Sequence, residues 1–429
     1  MKFALVVLVL CAGFSSAQPS AVEFNLFCRI LAKANDLMYG PDYVYEENAD
    51  RAILQDMEVL YNATTSNMNE FRKTLWVTKD FFEAHPPPTD PKNRQDAHRE
   101  IAQLIRDGEK KIEENQKIAL EVNNKINEAK LSVARGIYGE HVTVVPKDDK
   151  NLTEILNNTG STFVSNTSAK ESCGHNGGKD KAGKTLINDI FCVCIGGDAN
   201  DAEGPCHPKI WPPKSWQGSK EGKWTLIKFG LSKDTPKLIP SFNESFQKIE
   251  QVCREEMIQG NVKPENMDAL LRAYLGMIDM GNKKTNKDTK KIFGHSERSA
   301  GGKGNNQVEK CTGEQGSSHE TDPEKYNENI CVDYTNNQNK NDKTYNITWH
   351  EKFKNYTKIM QDAKIIEEGI LKNRAALLFL KSQAWVAYSR EKDDETSNLD
   401  DMNMSNLFDG TKLPFSFPSL TYLLLFMIL

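Results

Sequence analysis

Apolar positions recur at helical spacing over two long stretches. The series Ile101, Ile105, Gly108, Ile112, Asn115, Ala119, Val122, Ile126, Ala129 and Val133 steps by four and three in alternation without a slip. That is a heptad seam, and Glu113, Glu114, Lys117 and Lys125 flank it as solvated neighbours. Pro91 precedes the seam and Gly136 and Gly139 follow it, as start and stop signals should. The pattern predicts a helix over about 92–136, about 65 Å long at roughly 1.5 Å per residue. A second series, Ile359, Ala363, Ile366, Ile370, Asn373, Leu377, Leu380, Ala384 and Ala387, predicts another helix over about 352–390. Each seam holds one Asn, a residue that fixes register at a cost in stability; whether Asn115 and Asn373 meet is left open by the pattern. A third helix is expected over about 47–84, with Ile53, Met57 and Leu60 starting a seam that continues less cleanly through Phe71 and Leu75. Pro86-Pro87-Pro88 cannot continue it, because three residues lack amide donors. The expectation is a mainly α chain: an elongated antiparallel coiled-coil bundle of three long helices.

Between the second and third of these helices the pattern changes. Residues 138–346 form a cysteine-rich, loop-rich insertion. Phe191-Cys192-Val193-Cys194-Ile195 reads as a short strand, while Phe242–Met257 and Pro264–Met280 read as helices. Ile210–Ile227 is rich in Trp and Pro. Gly281–Asn346 is so polar that it is expected to carry no core, and reads as exposed loops held by Cys311 and Cys331.

The two chain ends change the picture most. Met1-Lys2, the apolar run Phe3–Ala12 and Ser15-Ser16-Ala17 have the layout of a secretory leader cut after Ala17, so 1–17 is expected to be removed. The other end, Leu420–Leu429, is apolar but too short for a membrane span, which needs about 20 residues. Small residues, a polar spacer and a short apolar tail instead match a GPI-attachment signal. The expected attachment residue is Asp409, with Gly410 and Ser405 as alternatives, leaving 391–409 as a membrane-proximal linker and 410–429 as the discarded signal. The return helix then points its C-terminal end toward the lipid, and the insertion 138–346 is expected at the distal tip as a head on an ectodomain of residues 18–390.

An oxidising route gives the cysteines their meaning. Cys11 leaves with the leader, and Cys28, Cys173, Cys192, Cys194, Cys206, Cys253, Cys311 and Cys331 remain, an even set expected to form four disulfides. The 105 connectivities open to eight cysteines stay open. Sequons begin at Asn62, Asn151, Asn157, Asn166, Asn243, Asn346, Asn355 and Asn403, which suits an extracellular surface. The formal net charge is −5. Losing Lys2 and Lys412 with the two ends moves it to −7, which argues against a nucleic-acid partner.

Candidate chemistry is sparse. Gly178–Thr185 fits G-x-x-x-x-G-K-[ST], but no apolar strand leads into it, so it reads as a loop and not a phosphate cradle. Cys173, His175, Cys192, Cys194, Cys206 and His207 lie close in sequence, yet Cys192-Val193-Cys194 is too tight for the usual zinc spacing. No G-x-S-x-G or H-E-x-x-H occurs. The eight histidines, His85, His98, His141, His175, His207, His295, His319 and His350, are scattered, with His98 and His350 expected on solvated helix faces. No catalytic residue, cofactor or metal site is expected, and the chain is not read as an enzyme.

With its leader, its long helices turning at Pro86–Pro88, its cysteine-stapled insertion, its return helix and its C-terminal signal, the chain resembles the variant surface glycoproteins of African trypanosomes over its whole length. It departs from many members in having only Glu391–Phe408, without cysteine, where they carry a small cysteine-rich domain. The resemblance implies a non-enzymatic homodimer on the outer leaflet of the plasma membrane, held by GPI lipid in a dense coat that mediates antigenic variation and faces host antibodies. The alternative on the same scaffold is a surface receptor for a host macromolecule. Trp211, Trp216 and Trp224 with Pro212 and Pro213 would floor its pocket, although a core for the head is their plainer role.

Overall fold

The computed structural model describes residues 18–67, 69, 72, 79–165, 169–174, 182–195, 205–207, 209–210, 242–259, 265–280, 291–296, 311 and 329–390. The chain divides into two compact units. Among the described residues, one unit draws on 18–40 and 129–358, and the other on 41–128 and 359–390. The elements are α1 (Ala21–Met38), α2 (Glu47–Ala63), α3 (Pro91–Tyr138), α4 (Asp149–Leu156), α5 (Thr159–Thr162), α6 (Ala169–Ser172), α7 (Leu186–Cys194), α8 (Phe242–Gln259), α9 (Met267–Met277), β1 (Ile292–Phe293), β2 (Val332–Asp333) and α10 (Thr348–Ser389). The described chain is mainly α, as its periodicity predicts.

The unit of 41–128 and 359–390 is built on the heptad seams. Pro91 opens α3 where its missing amide costs nothing, and Asp90 Oδ1 accepts from the amides of Lys92 and Asn93, both at 2.9 Å. α3 and α10 run antiparallel here. Gly108 lies beside Leu377, Asn115 bonds Asn373, Ile118 touches Gly369, and Val122 and Ile126 pack with Ala363. α2 completes the bundle through Leu54, Met57, Leu60 and Ala63, all buried. Gly108 permits the closest approach: a Cβ there would stand 2.4 Å from Leu54 and 3.3 Å from Leu377.

One boundary departs from the sequence reading. α2 ends at Ala63 and does not run on to residue 84. The Thr64 hydroxyl turns back to the carbonyl of Tyr61 at 2.8 Å, and Thr65 Oγ1 accepts the Asn67 amide at 3.1 Å. These local bonds compete with helix continuation. Residues 79–84 are helical again, while Phe71 and Leu75 lie outside the described residues.

The unit of 18–40 and 129–358 holds one large core. It gathers Phe24, Phe27 and Leu31 of α1, the C-terminal end of α3, all of α7, Phe246 and Ile249 of α8, Leu270 and Tyr274 of α9, and Trp349 and Phe353 of α10. α3 ends at Gly139, whose φ of +119° and tight contact with the Ser161 carbonyl suit only glycine. Every residue of α7 is buried. Here the structure corrects the strand expected at Phe191–Ile195, since Cys192, Val193 and Cys194 are helical. Thr185 caps the helix by accepting the Asn188 amide at 3.0 Å, and a short apolar run without alternation suits a helix buried all round. A Cys-x-Cys pair on a helix points its sulfurs about 200° apart. Cys192 accordingly joins Cys173 and Cys194 joins Cys206. The other two bonds are Cys28–Cys253, tying α1 to α8, and Cys311–Cys331.

A second correction concerns Gly281–Asn346. This stretch does contribute to the core. β1 and β2 pair antiparallel, with Ile292 opposite Asp333 and Phe293 opposite Val332. Ile292, Phe293, Cys311, Ile330, Cys331, Val332 and Tyr334 are all buried. The average composition hid them because a few apolar residues are diluted by long polar neighbours. Phe293 stacks on Tyr274 at 4.1 Å.

Candidate functional site

Two buried polar hubs organise the two units. In the first, Asp189 on α7 is fully buried. Its carboxylate accepts from Tyr334 OH, from Trp349 Nε1 at 2.6 Å, from the Gly183 amide at 3.1 Å and from Asn188 Nδ2 at 3.0 Å. Burial pushes its pKa up to about 6 against those four donors. Tyr334 is fully buried between Asp189 and Tyr274, whose hydroxyl lies 2.5 Å away, and burial holds both phenols well above their ordinary range. Each member is an anchor: α7, α10, the residue after β2 and the loop before α7 converge on one carboxylate.

The second hub lies in the other unit. Asp50 of α2 is fully buried. It accepts from Tyr45 OH at 2.7 Å, Asn115 Nδ2 at 2.9 Å and Arg374 Nε at 2.5 Å. Asn373 Nδ2 donates to Asn115 Oδ1 at 2.9 Å, so the two seam asparagines do meet. A network joining α2, α3 and α10 at one level specifies register, since a one-turn slip would strand a buried carboxylate.

The two histidines expected on solvated helix faces, His98 and His350, are instead structural donors. His350 is 1% exposed and its Nε2 donates to the Leu271 carbonyl at 3.1 Å; burial lowers its pKa. His98 is half-buried, stacked on Tyr61 at 4.0 Å, with Nδ1 3.1 Å from the Tyr61 carbonyl. A nitrogen facing a carbonyl carries the proton, so it is no base toward Thr64, 3.2 Å away. His141 and His295 meet the carbonyls of Ile155 and Ile330. His207 pairs with Glu256 at 3.2 Å, and burial lowers its pKa. His85 sits among Phe81 and Trp385. His175 and His319 lie outside the described residues.

The cysteines of the zinc reading are spent in disulfides, and among the described residues no group of three or more His, Cys, Asp or Glu is placed to hold a metal ion. At the phosphate-loop match, residues 178–181 lie outside the described residues. Lys184 Nζ is held by the carbonyls of Gly160 and Phe163, and Thr185 donates to the Thr162 carbonyl. Both side chains that would meet a nucleotide are thus committed to the fold.

What the described surface offers is glycan acceptors and polar loops. Asn151 and Asn157 are exposed at α4, Asn346 is exposed just before α10, and Asn355 is exposed on it. Asn62 is half-buried near the end of α2. Asn166 and Asn403 lie outside the described residues, as does the side chain of Asn243. The turn between Gln338 and Tyr345 projects exposed side chains beside an open depression of about 900 Å³, lined by Asn337, Gln338, Asn341, Tyr345, Asn346 and Lys354 among others. Nothing in the sequence signals that depression, because its residues are mostly polar side chains from a turn and a helix start. Trp211, Trp216, Trp224, Pro212 and Pro213 lie outside the described residues, as do Ser405, Asp409 and Gly410. Among the described residues no helix is long and apolar enough to cross a membrane.

These features define a disulfide-braced, mainly helical protein whose polar groups serve packing and register, with sequons on its exposed faces. Comparison with known families is specific: the trypanosomal VSG domain matches residues 3–369, and the chain belongs to that family. Comparison with curated proteins finds no match. The family is one of structural surface coats, so the chain is a trypanosome surface-coat protein of the variant surface glycoprotein type.

Proposed function

We propose that this chain is a GPI-anchored coat glycoprotein that shields the cell surface and takes part in antigenic variation, without enzymatic activity. The family match over residues 3–369 carries the reading. In it, the leader 1–17 is removed, 410–429 is exchanged for lipid at Asp409, and the lipid holds the chain on the outer leaflet of the plasma membrane. The exposed Asn151, Asn157, Asn346 and Asn355 carry glycans that screen the flanks. Loop side chains such as Asn339, Asn341 and Asp342 are exposed, so they can change under antibody pressure without touching the core.

The chain associates with a second copy of itself in this reading. Support comes from α10, which is apolar on two opposite sides. Ala363, Ile370, Leu377 and Ala384 face the bundle, while Ile365, Leu371, Leu378, Phe379 and Val386 are exposed. Apolar residues left exposed along one helix suit an interaction face.

Anchoring is tested by treating intact expressing cells with a phosphatidylinositol-specific phospholipase C and sequencing the C-terminal peptide of the released protein. The expected result is release into the medium, with a terminal peptide ending at Asp409 on an ethanolamine bridge. A surface-exposed form that still contains Phe426 or Met427 would contradict it.

A further inference from the structure

The open depression beside the turn between Gln338 and Tyr345 has a glycan acceptor in its own wall. Asn346 lines it, together with Lys340 and Asn341 of the turn and Glu351 and Lys354 of α10. Asn151, Asn157 and Asn355, the other acceptors exposed among the described residues, do not line it.

The backbone under Asn346 is held in place. Its amide donates to the Asn337 carbonyl at 2.9 Å. Asn337 Nδ2 donates back to the Asn346 carbonyl at 2.9 Å and to the Ala182 carbonyl at 2.7 Å. Asn337 is 2% exposed, and Ile347, the middle residue of the sequon, is fully buried. Asn346 and Thr348 are exposed on either side of it. A group joined to Asn346 Nδ2 therefore starts from one fixed point of the wall. The wall also carries chemistry that suits a sugar. Side-chain amides offer both donors and acceptors to hydroxyl groups. Glu351 and Lys354 form an ion pair at 3.0 Å on the rim, and Tyr345 contributes a ring with an apolar body.

We propose that the glycan on Asn346 folds back into this depression, so that its first sugars are part of the folded surface. The proposal rests on the reading that Asn346 is glycosylated. In that transfer a bond forms between sugar C1 and Asn346 Nδ2, and the C1–O bond to a lipid pyrophosphate donor breaks. The proton given up by the amide ends on the departing pyrophosphate. The link to the wall is a single side chain. A tether this short gives an effective concentration on the order of millimolar, so contacts too weak to hold a free sugar hold this one. The consequence is a division within the turn. Lys340 and Lys343 are both exposed on the protein surface, but only Lys340 lines the depression and comes under sugar.

The test uses native protein released from the surface of expressing cells, beside the Thr348→Ala variant, which keeps Asn346 but loses the sequon. Glycopeptide mass spectrometry reads occupancy at Asn346. Brief acylation of the folded proteins reads the reactivity of Lys340 and Lys354, with Lys343 as internal reference. The expected result is an occupied Asn346, with Lys340 and Lys354 acylated several-fold more slowly in the native protein than in the variant and Lys343 unchanged. If the variant fails to reach the surface, removing the glycan from native protein with a peptide N-glycosidase gives the same comparison. An occupied Asn346 with equal rates at Lys340 and Lys354, or with Lys343 slowed to the same degree, overturns the docking and leaves the glycosylation reading intact. An unmodified Asn346 overturns both.

Discussion

The two units solve the same problem, holding a polar chain in one conformation, by different means. The unit of 41–128 and 359–390 relies on periodicity: three helices share narrow apolar clusters, interrupted by one hydrogen-bonded level around Asp50. The unit of 18–40 and 129–358 has short helices, a two-stranded ladder and four disulfides around a single core. The first is specified locally along each helix. The second is specified by contacts between residues far apart in sequence, and it needs covalent closure. A coat protein gains from this split, because the loops of the disulfide-braced unit can change while its staples hold.

Breaking the longest staple should show the contrast most strongly. Cys28–Cys253 closes a separation of 225 residues. Replacing both cysteines by serine is expected to destabilise the braced unit by about 5 kcal/mol, from the loop-entropy trend. Urea unfolding followed by hydrogen exchange would read this as lost protection in α1, α7 and α8 with α2 unchanged. The matching lesion in the periodic unit is Asp50→Ala. It leaves Arg374, Asn115 and Tyr45 without their shared acceptor and should cost about 3 kcal/mol, read as lost protection along α2 and the first half of α3.

Acidity should sharpen the difference. Asp189 has its folded pKa raised to about 6 and Glu250 to about 7, in both cases mainly by burial. A raised carboxylate pKa means that the folded state binds the proton more tightly than the unfolded chain. The resulting stabilisation is complete below about pH 4 and is lost as pH rises through about 6 and 7. In urea unfolding, these two carboxyls favour the braced unit at pH 5 over pH 7.5, while His350 and His207, whose pKa values burial lowers, act in the opposite sense. Asp189→Asn and Glu250→Gln should each remove part of that dependence, on the order of 1–3 kcal/mol. A smaller effect is expected at the seam. Asn373→Ala removes one neutral hydrogen bond to Asn115 and should cost about 1 kcal/mol, visible as a modest shift of the urea midpoint.

The same contrast explains what the sequence disclosed. Both heptad seams were legible because every fourth or third residue repeats the same instruction, and Asn115 and Asn373 stood out as the exceptions that prove to be partners. The break after Ala63 is not legible, since Thr64-Thr65-Ser66-Asn67 is only four polar residues long. In the other unit, Phe191–Ile195 reads as a strand because a run buried on all sides has no period to read. The β1–β2 pair disappeared into the polar average of its surroundings. Asp189, the organising residue there, could not be found from its neighbours, because its donors Tyr334 and Trp349 lie 145 and 160 positions away. His350 looked solvated on a charged helix and is instead buried under α9 by its bond to Leu271.

A coat role predicts an amount as well as a structure. Quantitative surface proteomics on isogenic clones tests it most directly. The account predicts that this chain is the most abundant surface protein of the clone that expresses it and is replaced by a different chain after a switch. A low, constant copy number in every clone, together with saturable binding of a host protein, would contradict the coat role and favour a receptor.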